Sequence, residues 1–382
     1  MKNILYLHAG AEMYGADKIL LELVSGLDSK KFHPIVVLPE HGILEKKLKE
    51  KNIETYVVPY PILRRKYFNI RGIWQYINSY YSSSRKIEKL IKKKNINLIH
   101  VNTSAVLEGI YLKKKLKVKM VWHIHEIILS PVMVGKALNY LVGKYSDKCV
   151  AVSEAVKNNL LKSGYFKPNQ ISVIYNGVDS QKFTPLLDSS YLYNEWKIPR
   201  DAVKVGMIGR INAWKGQNDF LEALSPLLES NKKLYLFIIG SAFNGQEWRE
   251  KQLEEKISHT KNKERIIYSK FRSDNNYIQN FLDILVLPST NPDPLPTVVL
   301  EAMASGTPVV GYSHGGITEM IIDREDGLLA QKNNVLDLRR KVESILENNV
   351  YVEYGNNARK RLENYFSLNK FIKTFSDCYN SL

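Results

Sequence analysis

The stretch VKVGMIGRINAWKGQNDFLEALSPLL, Val203–Leu228, runs from a strand through a loop into a helix. Val203–Ile208 is a short apolar, β-branched run stopped by Gly209, and Gln217–Leu228 carries helical periodicity after Gly216. A strand feeding a helix through a short loop is half of a βαβ unit, and repetition of that unit builds a parallel sheet. The repetition continues downstream. Strands are predicted at Leu234–Ile239, Arg265–Tyr268, Ile284–Pro288 and Pro308–Gly311, with helices at Glu247–His259, Pro296–Ala304 and after Asn334. Upstream, strand patterns fall at Asn3–Leu7, Pro34–Leu38, Glu54–Val58, Asn97–Val101, Met120–Ile124, Lys148–Val152 and Ile171–Tyr175. Helical patterns such as Ala16–Leu27, Ile43–Lys51, Ile73–Lys94 and Glu154–Ser163 separate them. Near Asp179–Arg200 the alternation stops and Pro185 and Pro199 enter.

The fold class is therefore α/β, and 382 residues suit two such domains. The first is expected over 1–180 and the second over 201–360, with 181–200 as linker. A C-terminal helix within 361–382 is expected to pack back on the first domain. Ligands of open α/β sheets bind beyond the carboxyl ends of strands, so two domains would face a central cleft.

Composition narrows the class. The chain is 44% apolar and 25% charged, as globular proteins are. Cys149 and Cys378 lack metal-ligand spacing and read as reduced thiols, which points to the cytoplasm. Apolar runs are too short for a secretory leader or a spanning segment. The net charge of +16 is lopsided. Residues 1–185 hold 30 basic and 14 acidic side chains, residues 186–382 hold 25 of each, and residues 51–119 hold 16 and 3. Such a field speaks to an anionic partner, either a lipid surface or nucleic acid. No nucleic-acid motif accompanies it, so nucleic acid is not the expected partner.

Three places carry candidate chemistry. Gly15 opens a helix after the first strand, where backbone N–H groups meet anions, although the G-x-G-x-x-G spacing is absent. Arg210 and Lys215 sit in the loop after Val203–Ile208, where a guanidinium fork and an ammonium suit a diphosphate leaving group. In Pro292-Asp293-Pro-Leu-Pro-Thr-Val-Val-Leu-Glu301-Ala-Met-Ala, a carboxylate lies inside an apolar helix, eight residues after another in a Pro-rich loop. Burying Glu301 is costly without a partner, and ribose hydroxyls are natural ones. The plainer readings are a helix-capping Asp293 and an exposed Glu301.

These segments, with Val152-Ser-Glu-Ala-Val, Val173-Ile-Tyr-Asn-Gly-Val-Asp179, His314-Gly-Gly-Ile-Thr-Glu-Met and Asp326-Gly-Leu-Leu, resemble retaining glycosyltransferases of family 4 over nearly the whole chain. The resemblance implies the GT-B fold, two Rossmann-like domains facing a cleft, the first binding acceptor and the second a nucleotide sugar. It implies that Asp293 meets the donor sugar and Glu301 the ribose, that Arg210 and Lys215 hold the diphosphate, and that Gly15 and Thr297 also line the donor site. The family pattern has Glu at the first acidic position, so Asp293 is one methylene short. A histidine near the transferred sugar is implied as well. Trp122-His-Ile-His-Glu126 offers His123 and His125 on one face, with His125 beside Glu126 fitting the His-acid pattern better.

The resulting expectation is a retaining, hexosyltransferase-type enzyme that moves a sugar from a nucleoside diphosphate sugar, UDP-linked, to a saccharide or lipid-linked acceptor in bacterial surface polysaccharide synthesis. It would need no metal and no further cofactor. Arg64-Arg65-Lys66-Tyr67-Phe68 adds aromatics to cations, which suits peripheral docking on the inner face of the membrane. A nucleotide-sugar epimerase and a non-catalytic partner subunit are the rival readings.

Overall fold

Strands covered on both faces need continuous apolar runs. In the computed structural model, which describes residues 1–64, 67–348 and 350–382, Ile4, Leu5, Tyr6 and Leu7 are all fully buried. They belong to β1 (Lys2–Leu7), and β2 (Phe32–Leu38), β3 (Glu54–Val57), β4 (Leu98–Val101), β5 (Lys119–Ile124), β6 (Lys148–Ala151) and β7 (Ile171–Val173) follow. Together they form one seven-stranded sheet in the order β3-β2-β1-β4-β5-β6-β7, with parallel pairing throughout.

The chain divides into two compact units, Met1–Gly177 with Asn369–Leu382, and Val178–Leu368. In the first, helix Leu368–Asn380 buries Phe371, Phe375 and Tyr379. The Tyr379 ring lies edge-on to Phe32 and Tyr6, and Lys2 Nζ donates to the Tyr379 carbonyl at 2.7 Å. A Cβ on Gly26 would sit 2.1 Å from Ile372 Cδ1, so the absence of a side chain there lets this helix seat against Gly15–Gly26. Helix Ile70–Ile91 begins three residues before the expected Ile73, because Asn69 Oδ1 accepts the Gly72 N–H at 2.8 Å and caps it.

The second unit holds β8 (Val203–Ile208), β9 (Leu234–Ile239), β10 (Ile266–Ser269), β11 (Ile284–Leu287), β12 (Val309–Tyr312) and β13 (Gly327–Ala330) in the order β10-β9-β8-β11-β12-β13. The β13 strand is four residues long and was not foreseen. The helix expected over Gln217–Leu228 ends at Leu224 and restarts as Leu227–Ser230, with Pro226 at the break. Residues 181–200 belong to this unit. Leu192 is fully buried, and the rings of Tyr193 and Trp196 pack on Phe281 and Phe237 at 4.8 and 4.9 Å.

Each sheet reverses its strand order once, at β1/β4 and at β8/β11. Such switch points open crevices beyond the carboxyl ends of the strands.

Candidate active site

At the second switch point, Gly209 and Arg210 leave β8, Ser289 follows β11, and His314 follows β12. The loop between Arg210 and Gly216 is tied down from within. Asn212 Oδ1 accepts the N–H groups of Trp214 and Lys215 at 3.0 and 2.9 Å. Gln217 Nε2 donates to the Arg210 carbonyl at 2.9 Å, and Thr290 N–H to the Trp214 carbonyl at 2.8 Å. Gly216 has φ +84°, and a Cβ there would lie 1.8 Å from the Pro288 carbonyl oxygen. Only glycine fits that approach without displacing backbone.

Lys215 and Asp293, expected on different parts of a donor, are joined. Lys215 Nζ meets Asp293 Oδ2 at 2.8 Å and Oδ1 at 3.0 Å. Ser289 Oγ donates to Oδ2 at 2.8 Å. The pair is largely buried, with Lys215 16% and Asp293 9% exposed. Asp293 is not a helix cap, since the helix starts at Thr297 with Pro296 before it. Gly315 has φ +72°, and a Cβ there would stand 2.5 Å from the Asp293 carbonyl, so the His314-Gly-Gly segment lies backbone to backbone on the acidic loop. His314 Nε2 donates to the Ser289 carbonyl at 2.6 Å. Burial lowers its pKa.

Helix Thr297–Ala304 is apolar nearly all round and buried. Glu301 is buried within it rather than exposed, and Asn275 Nδ2 donates to its Oε2 at 2.5 Å. That supplies a partner the carboxylate requires. Thr297 is half-buried at the first turn. The Arg210 guanidinium stacks on Phe243, 3.5 Å from the ring centroid. Phe243 is 42% exposed, so this cation is held at the unit's surface rather than inside it.

The first switch point carries a network that the sequence reading missed. Leu7 and Val101 are in register, so His8 and Asn102 leave β1 and β4 side by side. His8 Nε2 lies 2.7 Å from Asp17 Oδ1, and His8 Nδ1 lies 3.0 Å from Asn102 Nδ2. Asn102 Oδ1 in turn lies 3.0 Å from His125 Nε2 and 3.4 Å from His100 Nε2. Asp17 Oδ2 accepts the Tyr14 N–H at 2.9 Å, which ties the Gly15 helix start to His8. The available signal was a polar residue directly after each apolar strand.

His123 and His125 part company here. His123 ends up inside β5, fully buried against Phe375 and His125. Neither of its ring nitrogens has a partner among the described residues. His125 lies past the strand end and is half-buried. Burial lowers the pKa of both rings, which favours their neutral forms. Glu126 accepts from the Thr103 hydroxyl and from Ser104 N–H and Oγ at 3.3 and 3.2 Å.

Comparison with known proteins agrees with this layout. The family "Glycosyltransferase Family 4" matches residues 13–182, and "Glycosyl transferases group 1" matches residues 192–362. The capsular polysaccharide biosynthesis glycosyltransferase CapM of Staphylococcus aureus is 26% identical over 254 residues, 63% of this chain and 64% of that protein's length. The UDP-Gal:alpha-D-GlcNAc-diphosphoundecaprenol alpha-1,3-galactosyltransferase of Escherichia coli is 24% identical over 378 residues, covering 96% of this chain and 93% of its own. The crystal structure of Anabaena HepE in complex with UDP-glucose superposes over 100% of both chains with a TM-score of 0.85 at 22% identity. The chain belongs to the glycosyltransferases of the GT-B fold, with a family 4 first half and a group 1 second half.

Proposed function

We propose that this glycosyltransferase moves a sugar from a UDP-sugar, with retention of configuration and without a metal, to a lipid-linked saccharide in surface polysaccharide assembly. The observation that carries the donor reading is the set of charged groups on the loops and the helix that follow β8 and β11. Arg210 is a surface-held cation for the diphosphate, Glu301 a buried carboxylate for the ribose, and Lys215–Asp293 a pair at the sugar end. Thr297 completes the donor contacts within this unit. Fixed charges of this kind act where a leaving group gains negative charge. The UDP complex of HepE and the undecaprenol-linked acceptor named for the E. coli relative support the choice of donor and acceptor. A nucleotide-sugar epimerase or a non-catalytic partner subunit would transfer no sugar to a second saccharide.

A thermal-shift titration of the full chain with UDP, GDP and their sugars tests this. A ligand at about 100 times its Kd adds about 2.7 kcal/mol to the native state. UDP compounds are expected to raise Tm in the wild type, with and without EDTA, and to fail in Glu301→Ala. Absence of any shift with any nucleotide would sink the donor site.

The first unit would take the acceptor at an anionic membrane surface. No helix among the described residues is long and apolar enough to cross a membrane. Helix Ile70–Ile91 instead turns Ile70, Ile73, Trp74, Ile77 and Tyr81 outward at helical spacing, between 39% and 79% exposed. Arg71, Arg85, Lys86 and Lys89 are exposed on the same helix. An apolar stripe with basic flanks suits docking among acidic headgroups. Arg65 and Lys66 of the cationic run expected there lie outside the described residues. Ile73→Glu/Trp74→Glu is expected to weaken binding to phosphatidylglycerol vesicles by about ten-fold or more while leaving the UDP shift intact. Equal binding of this variant and the wild type would remove the membrane from the proposal.

A further inference from the structure

With both rings neutral, counting protons around Asn102 gives one consistent arrangement. The Asp17 carboxylate can only accept, so His8 Nε2, 2.7 Å away, carries the hydrogen. In a neutral ring His8 Nδ1 is then bare, and the Asn102 amide must turn its NH2 toward it, as the 3.0 Å contact has it. That orientation leaves Asn102 Oδ1 facing His125 Nε2 at 3.0 Å, where it accepts a hydrogen. Burial favours the neutral ring at His125, and in that ring the second nitrogen, Nδ1, is a bare acceptor. It has no partner among the described residues. A parallel branch obeys the same count. His100 Nε2 points to Asn102 Oδ1 at 3.4 Å, His100 Nδ1 accepts from Tyr379 at 2.8 Å, and Tyr379 accepts from Tyr6 at 3.1 Å.

We infer that Asn102 is a positioning residue that sets the proton positions on His8 and His125, so that His125 presents a bare Nδ1 to a sugar hydroxyl. An asparagine suits the role because it donates on one side and accepts on the other. Aspartate offers no donor and leucine neither. The fixed point is Asp17, on the helix opened by Gly15. Its carboxylate dictates His8, His8 dictates the amide, and the amide dictates His125. Three adjacent strands, β1, β4 and β5, supply the links just past their carboxyl ends. The inference rests on the reading of His125 as a sugar-facing group, but the proton positions can be measured without it.

The test is nitrogen-15 NMR of histidine-labelled full-length protein, combined with transfer kinetics using a UDP-sugar. In the wild type His8 and His125 are expected to show a protonated Nε2 and a bare Nδ1. In Asn102→Ala His125 is expected to lose that preference, and kcat to fall about ten- to a hundred-fold with KM for the donor within about two-fold. Asn102→Asp keeps the shape and covers the case in which the alanine variant fails to fold. It accepts from both rings, so the proton position on His8 is expected to change while His125 keeps its Nε2 hydrogen. A wild-type His125 protonated on Nδ1, or unchanged proton positions in both variants, would overturn the inference. So would full turnover in Asn102→Ala alongside an inactive His125→Ala. Full turnover in His125→Ala would instead strike the sugar-facing role, leaving the proton positions to be judged by the spectra.

Discussion

Replacing Lys215 with methionine is expected to cost the second unit about 3–5 kcal/mol, because it strands the Asp293 carboxylate in a buried site where, among the described residues, only the Ser289 hydroxyl still donates to it. For a unit of this size that corresponds to a drop of roughly 10 °C in Tm. Adding Asp293→Asn removes the stranded charge, so the double variant should recover most of the loss. Activity should not recover with it, since the ammonium and the carboxylate are both assigned to the donor. Thermal melts and transfer assays on the two single variants and the double variant form the cycle. A single-variant loss under about 1 kcal/mol would mean that the pair is solvent-screened like an ordinary surface bridge. Recovered turnover in the double variant would make the pair a structural clamp and take it out of the donor site.

Arg210→Ala should behave in the opposite way. Its guanidinium lies on the half-exposed Phe243 ring, so truncation should move Tm by no more than about 2 °C. Loss of the cation proposed to meet the departing diphosphate should lower kcat/KM by about 10²–10³. Arg210→Lys restores the charge without the planar fork and should recover only part of this. Steady-state kinetics with a UDP-sugar, beside melts of the same preparations, decides the matter. A rate loss under about ten-fold would remove Arg210 from the diphosphate site.

The contrast between these two residues shows what the sequence could and could not convey. Both were legible as cations after a strand-ending glycine, because Val203–Ile208 is apolar enough to announce a strand and Gly209 to end it. Their different fates depend on Asp293, which is distant in sequence and reaches Lys215 only through the pairing of β8 with β11. Strand order is a long-range property that hydrophobic periodicity does not encode. The same reason hid the His8–Asn102–His125 chain, whose members come from β1, β4 and β5. Alternation put His123 and His125 on one face, as expected. What separated them was the end of β5 at Ile124, with Phe375 of the C-terminal helix packed on the first ring. Glu301 was easier to read, since a carboxylate among Leu300, Ala302 and Met303 is anomalous by composition alone. Short elements were lost for a plain reason. Gly327–Ala330 is too brief for a period to repeat, whereas Ile70–Ile91 was misplaced by only one turn for want of its Asn69 cap.

The return of Asn369–Leu382 to the first unit has a consequence for how the protein is made. Translation proceeds from the N-terminus, so the first seven strands emerge well before Phe371, Phe375 and Tyr379, which fill their core. Until then β1 and β4 carry an uncovered apolar face around Tyr6 and His100. The second unit, unbroken from Val178 to Leu368, has all its residues before that gap can close. The half of the protein synthesised first is thus the half whose residues are complete last.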